Sequence, residues 1–401
     1  MASAQKTILC ISSYEKGFDF LKQCHKLGWR VILLTSNSLA EAPWPKESID
    51  EIYYIPDVEK EWDMKEVLNA VSYLCRTEKI NKIVALDDFD VEKAATLREH
   101  LRIPGMGETT VRYFRDKLAM RLKAHEDKIA VPPFIHVLNH NEINDFMEKV
   151  EPPYILKPRS QAGAIGMKKC HDKMELWDAV NSLGDEQSYY LVEKFVPGNI
   201  YHVDTIIYNS KVEFAVASQY AKPPMEVAHE GRVFCTSLMK KGSKDEKKLL
   251  ALNEKVLGSM GLKHGVSHTE FIKSEEDGKL YFLETSARVG GANIAEMVEA
   301  GTGINLWKEW AKLETKPRKY KPPVAKDNYS GILISLARQE YPDTSNYDAP
   351  EIKWRINKKF HAGLILASND YKKVQALLSE YTERFYDDFF ATQPIKQKPS
   401  D

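Results

Sequence analysis

This 401-residue sequence has little sulfur chemistry to offer. Its five cysteines, Cys10, Cys24, Cys75, Cys170 and Cys235, are scattered and form no CxxC pair. That spacing argues against a disulfide framework or a zinc site and for a reducing compartment. Long apolar runs are missing too. Nothing approaches the ~20 residues of a membrane span, and the run Ile8–Ile11 is too short for a secretion signal. The expectation is a cytoplasmic protein with no membrane partner. Neither sign of charge is in excess: 57 basic against 58 acidic side chains leave a net charge of -1, so no nucleic-acid partner is expected. Two phosphate fingerprints are absent as well. The turn after the first apolar run reads SSYEKG rather than GxGxxG, and GxxxxGK[ST] occurs nowhere. Internal repeats are also absent.

What is present alternates. Short apolar runs at 7–11, 30–34 and 82–86, with helical patterns at Phe18–Leu27 and Val91–Leu101, predict a parallel, doubly wound α/β unit over about 1–110. Ser12 or Ser13 is placed to cap the first helix. After the break Arg102-Ile103-Pro104-Gly105, a basic helix and a run of strands suggest a unit over 111–188. A second follows over 189–314, and a small α+β closing unit over 327–401, beyond the Lys/Pro-rich linker TKPRKYKPPVAK. A chain of this length needs several cores.

The stretch HTEFIKSEEDGKLYFLETSAR reads as a hairpin with Gly278 at the loop position that takes positive φ. A three-residue loop, Glu276–Gly278, places Glu270 opposite Glu284, Ile272 opposite Phe282 and His268 opposite Ser286. Opposed carboxylates, with Cβ atoms roughly 5 Å apart, repel one another. A divalent cation between them would relieve that, and hard oxygen ligands suit Mg2+ carrying nucleotide phosphates. Ile272 and Phe282 would then form an apolar floor for a base. Taken in isolation, the two acids favour a solvated hairpin with both facing water.

Other residues fit the same chemistry. Lys157 precedes the turn PRSQAGAIGM, whose Gly163 and Gly166 would let backbone N–H groups meet phosphates. Lys117 sits in a basic helix. Glu193 starts a link, Glu193-Lys194-Phe195-Val196, where an acid could accept from an exocyclic amine and the backbone could bond a base edge. Arg288 stands four residues after Glu284, beside Gly290-Gly291, and suits a carboxylate. Each also has a structural reading as surface, turn or sheet-edge residue.

In their order along the chain, Lys117, Lys157 with its loop, Glu193 to Val196, Glu270, and Glu284 with Arg288 resemble the ATP-grasp superfamily over about residues 100–312. The phrases HTEF, LETSARVGGANI and YHVD are most similar to its carboxylate–amine ligases that join amino acids, and more distantly to biotin-carboxylase-like members. The resemblance implies an ATP-grasp fold of α/β and α+β domains behind a Rossmann-like leading domain. It implies ATP held by Lys117, Lys157 and the loop Ser160–Gly166, with Glu193 at the adenine amine. It also implies Mg2+, or Mn2+, on Glu270 and Glu284, with Ser286 where the family has asparagine. His202 would serve the ribose, since Ile200 stands where many members carry an acid. Arg288, with Lys157, would act at the developing acyl phosphate.

The activity so implied is ATP-dependent amide formation from a carboxylate and an amine, with amino acids as substrates and a homodimer as the assembly. The segment 222–232, with His229 and Arg232, has the composition of a lid over the site. A carboxyphosphate-forming relative and a nucleotide-binding protein without turnover are the alternatives. The first would need a separate carrier, because no biotin-attachment tripeptide occurs in the chain.

Overall fold

The computed structural model describes residues 5–58, 60–230 and 232–392. The chain starts with β1 (Thr7–Ser12), α1 (Phe18–Lys26), β2 (Arg30–Ser36), β3 (Glu51–Ile55), α2 (Met64–Leu74), β4 (Ile80–Ala85) and α3 (Val91–Leu101). The four strands are parallel, in the order β3-β2-β1-β4. β1 and β2 are almost wholly buried because helices cover both faces: α1 packs with Phe20, Leu21 and Cys24 on one, α2 and α3 with Val67, Val71 and Ala94 on the other. Edge strand β3 escapes a reading based on apolar runs, since Tyr53 and Tyr54 are exposed. Neither serine caps α1. Its N-cap is Gly17 at φ 79, while Ser13 donates to Asp90. That bond ties the end of β1 to the end of β4, where strand order reverses and ligands of such sheets bind.

α4 (Glu108–Val111) and α5 (Lys117–Glu126) lead into β5 (Phe134–His136), α6 (His140–Lys149), β6 (Tyr154–Pro158), β7 (Lys168–Cys170), α7 (Lys173–Ser182) and β8 (Tyr190–Lys194). The strands form an antiparallel sheet, β5-β8-β6-β7, whose core joins Val137, Ile143, Tyr154, Leu176 and Val192. Glu193 therefore belongs to this sheet by pairing, with Phe134 on one side and Ile155 on the other.

The rest of the chain builds one larger sheet. Its elements are β9 (Gly198–Tyr208), β10 (Lys211–Tyr220), α8 (Pro224–Glu230), β11 (Phe234–Leu238), α9 (Lys244–Met260), β12 (Gly265–Ser274), β13 (Leu280–Ser286), α10 (Ile294–Thr302), α11 (Leu306–Thr315), β14 (Tyr329–Leu336), β15 (Ile352–Arg355), β16 (His361–Ser368) and α12 (Tyr371–Asp388). Eight strands run in the order β13-β12-β9-β10-β11-β14-β16-β15. α5 and α9 cover one face over Val203, Ile207 and Phe271; α10 and α11 cover the other over Ile206 and Val266. α12 closes the far end over Leu333, Leu364 and Leu366. Trp310 of α11 packs edge-on against Phe20 of α1, ring centroids 5.0 Å apart, and fastens the N-terminal unit to this body. No described helix is long and apolar enough to cross a membrane.

Candidate active site

Glu270 and Glu284 are direct partners across β12 and β13, and so are His268 and Ser286. Two departures from the simple hairpin cancel to give that result. Ser274, not Glu275, closes the loop onto Lys279 at 2.9 Å, leaving four loop residues that end at Gly278, φ 68. A bulge at Leu283 then restores the register. Between loop and bulge every side chain is shifted by one, so Phe282 pairs with Phe271 and Ile272 with Tyr281. Phe282 is fully buried beneath α5, with Arg121 over its ring. It is not part of the nucleotide-side wall; Leu283 stands there beside Ile272.

That wall belongs to a cavity of about 170 Å³ between the two sheets. Lys157, at the end of β6, enters it almost fully buried, and its Nζ lies 2.6 Å from Glu193 Oε2. The other Glu193 oxygen is 2.6 Å from Arg121 Nε. Burial pushes the Lys157 ammonium down to about 8, with Glu193 opposing. Burial raises the Glu193 carboxyl, but Arg121 and Lys157 hold it below the usual range. Both its oxygens are thus committed to cations, a correction to the idea of an acid free for an adenine amine. Arg121 is fully buried, although its helix looks merely basic in sequence. Next to it, the Lys194 and Phe195 N–H groups donate to Pro133 and Pro153. Val196 follows in the lining, and its N–H has no backbone partner among the described residues.

The glycine-bearing loop covers the cavity with Gln161, Gly163, Ala164 and Ile165. Ser160 is exposed and lies outside the lining, and Gly166, at φ 70, packs against Pro158 instead. Asp116 caps α5 by accepting from Leu118 and Ala119, which sets Lys117 at the first helical position. From there Lys117 Nζ reaches both the Gln161 carbonyl at 2.5 Å and Glu284 Oε2 at 2.8 Å. Burial raises the Glu284 carboxyl and Lys117 more than offsets it, so it is held low.

A second cavity, about 330 Å³, opens on the other side of the two glutamates. The two share Lys117, Gln161, Gly163, Pro224, Glu270 and Glu284. Here Asp88, from the switch-point end of β4, meets Arg115 at 3.0 Å and Arg288 at 3.8 Å. Burial opposes ionisation of Asp88, but the two guanidiniums keep it charged. Asp88 Oδ1, Arg115 Nε and Arg288 Nε are buried and make no hydrogen bond among the described residues. Ser286 lines this cavity, and its hydroxyl helps hold Asp88 ionised. Asp88 and Arg115 were not singled out by sequence. The signal was the strand ending at Asp87-Asp88, a topological switch point.

His202 is not in either cavity. It is fully buried on β9, its Nδ1–H donating to Asp204 at 2.8 Å and its Nε2 2.9 Å from Thr236. Burial lowers its pKa and keeps it neutral. The ribose role therefore falls away from His202, and Ile200 lines the nucleotide cavity next to Ile272. Asp204 also accepts from His268 Nδ1 at 2.9 Å, and His268 Nε2 lies 3.6 Å from Glu270 Oε1, to which Tyr220 donates at 2.8 Å. Burial disfavours the His268 imidazolium, yet Asp204 and Glu270 raise its pKa to about 9. Gly290 leaves the space for this cluster: a Cβ there would sit 3.0 Å from both Asp204 Oδ1 and His268 Nδ1. Of the expected lid, Pro224 and Met225 line one cavity and Pro224 and Val227 the other. Arg232 is exposed, and His229 lies outside the described side chains.

Two antiparallel layers clasping a cavity of lysines, opposed acids and a glycine loop have a counterpart among known proteins. The profile of the ATP-grasp domain matches residues 150–296. The chain carries an ATP-grasp domain over those residues. Its ATP-grasp fold extends over nearly the whole length: the L-amino acid ligase from Bacillus licheniformis superposes with a TM-score of 0.77 at 17% identity, covering 98% of this chain and 100% of that one. The biotin carboxylase domain of the Hydrogenobacter thermophilus 2-oxoglutarate carboxylase, solved with ADP, its magnesium salt and bicarbonate, gives 0.68 at 15% identity, covering 96% and 90%. In sequence, the chain is 25% identical to the L-arginine-specific L-amino acid ligase of Bacillus subtilis over 272 residues, 66% of this chain and 64% of that protein. The match thus spans just under two thirds of the relative's length.

Proposed function

We propose that this protein is an ATP-dependent carboxylate–amine ligase that joins two amino acids through an acyl phosphate, releasing ADP and phosphate. The observation that carries the reading is the loosely paired trio Asp88, Arg115 and Arg288, in a cavity that shares the opposed glutamates with the nucleotide cavity. An α-amino acid suits this arrangement. Its ammonium would face Asp88, and its carboxylate would be held by Arg288 within reach of a γ-phosphate beyond Glu270 and Glu284.

The donor set fits Mg2+, with Mn2+ as a substitute: two carboxylates face each other, and Glu270 Oε2 makes no hydrogen bond among the described residues. Glu270 and Glu284, with the Ser286 hydroxyl nearby, would hold it, and it would neutralise phosphate charge as phosphoryl transfer proceeds. Lys157 and Lys117 would supply further positive charge to the phosphates, and the Gln161–Ile165 loop would shield them from water. The Val196 N–H would bond the adenine edge. A carboxylate oxygen attacks the γ-phosphorus and the bond to ADP breaks. An amine then attacks the acyl carbon, phosphate leaves, and the amine proton departs. Positioning and charge neutralisation suffice for both steps.

The test is phosphate release from Mg-ATP with single amino acids, amino-acid pairs and bicarbonate. Release driven by amino acids and lost in Glu284→Ala and Lys157→Ala supports the ligase. Release with bicarbonate alone turns the reading to carboxyphosphate chemistry, and no release under any condition rejects both. A cytoplasmic location and a homodimer complete the proposal; light scattering tests the dimer.

A further inference from the structure

We infer that a cleft on the opposite side of β4, between the N-terminal unit and the body, binds a compact organic anion that bridges the two. Its volume is about 470 Å³, against 170 Å³ for the nucleotide cavity. Its floor is Ile83 and Ala85 of β4 with Val91 of α3. One wall is Arg98 with the connector Pro104–Gly107; the other is the turn Gly261–Gly265, Ala287, and Trp310 and Glu314 of α11.

The charges in this cleft do not balance. Glu314 is occupied, one oxygen 3.1 Å from Lys82 Nζ and the other accepting from Trp310 Nε1 at 3.3 Å. Arg98 donates to the Ile83 carbonyl through Nε at 3.0 Å and Nη2 at 2.6 Å, and to the Met106 carbonyl through Nη1 at 3.1 Å. No carboxylate among the described residues forms an ion pair with it; burial lowers its pKa, and the Glu314 charge opposes that. Stapling two carbonyls uses three of its five N–H groups, and the carboxylate acting on it, Glu314, is already taken by Lys82, so positive charge is in excess here. Lys263, exposed at the rim, likewise has no ion pair among the described residues. His264 Nδ1 accepts the Asn209 N–H at 3.3 Å, which leaves its Nε2–H as a donor.

Glycines keep the mouth open. Gly105 lies so close to Arg98 that a Cβ would meet its Cδ at 2.6 Å, and Gly265 adopts φ 124, where other side chains are strained. The ligand class is therefore a small dicarboxylate or phosphorylated acid with a short apolar body, its charge on Arg98 and Lys263 and its body on Ile83 and Trp310. The position gives it leverage. Ala287 adjoins Arg288, and Ala85 lies three residues before Asp88; those two charged groups face each other, 3.8 Å apart, across the same seam. An anion drawing the walls together would set that spacing from behind.

The experiment uses the full chain with fluorotryptophan in place of tryptophan and follows the Trp310 resonance by fluorine NMR, assigned with Trp310→Phe. Malonate and inorganic phosphate are titrated separately under saturating Mg-ADP. A saturable shift with malonate alone identifies a carboxylate ligand and one with phosphate alone a phosphoryl ligand; either supports the site. Affinity should fall about tenfold or more in Arg98→Gln and stay unchanged in Glu284→Ala, which separates this cleft from the nucleotide site. If Arg98→Gln does not fold, Lys263→Glu at the exposed rim should weaken binding several-fold. No saturable shift with either anion overturns the inference. So does a shift that is undiminished in a folded Arg98→Gln or, failing that, in Lys263→Glu.

Discussion

The cavities on the two sides of the glutamate pair differ in how tightly their charges are paired. On the nucleotide side every buried charge already has a partner: Arg121 with Glu193, Glu193 with Lys157, Lys117 with Glu284. On the other side the pairing is looser, with Asp88 3.0 Å from Arg115 and 3.8 Å from Arg288. The first arrangement is preorganised and indifferent to what the substrate is. On the proposed reading the second closes around a zwitterion, so selectivity would reside there. The nucleotide side is made where the two antiparallel sheets meet, the other only where the N-terminal unit joins them.

The largest effect tests the wall between them. Glu284→Ala should cut amino-acid-stimulated phosphate release about 10³-fold, the scale of losing a principal electrostatic contact to a transferring group. It should also release Lys117 from its ion pair, so equilibrium binding of ADP without metal should change little. Next comes Asp88→Asn, which should raise KM for amino acid about 10- to 100-fold, the worth of a charged hydrogen bond, while ADP affinity measured by calorimetry holds. An equal loss of both would erase the contrast between the cavities.

Lys157 gives the third test. Its pKa near 8 means nucleotide phosphates bind best when it is charged. ADP affinity should therefore fall above pH 8, approaching about tenfold per pH unit, with proton uptake on binding; Lys157→Met should flatten the profile. Stability carries the opposite sign. Between about pH 8 and 10.5 the unfolded lysine holds a proton that the folded one has shed, so this group's contribution to stability rises with pH across that window. The smallest effect is expected from Asp204→Asn. With Asp204 no longer a carboxylate between His202 and His268, Glu270 is held less firmly, and the Mg2+ needed for half-maximal release should rise several-fold with ADP affinity in the absence of metal unchanged.

Sequence reasoning reached the glutamate pair through a loop one residue too short, and a bulge at Leu283 made good the difference. Bulges leave no trace in an alternating pattern, so Phe282 was put on the wrong face for the same reason. His202 was misplaced by proximity in sequence: it shares a side of β9 with Ile200 and pairs with Glu270, but Asp204 and Thr236 hold its ring in the core. Lys157, Glu284 and Arg288 were legible because local motif and chemistry coincide. Arg121 and Asp88 were not, because their partners, Glu193 and Arg288, lie 72 and 200 residues away in the chain.

The eight-stranded sheet limits how this chain can be divided. Residues after the Lys/Pro-rich linker return to pair β14 directly with β11, through Phe234↔Ile334 and Ser237↔Gly331. A cut at the linker would thus remove no free-standing module. It would bare the β11 ladder to any strand that passes, and an open sheet edge invites intermolecular pairing. Shortened versions should come out as aggregates, and a circular permutant that keeps β14 beside β11 should stay in solution.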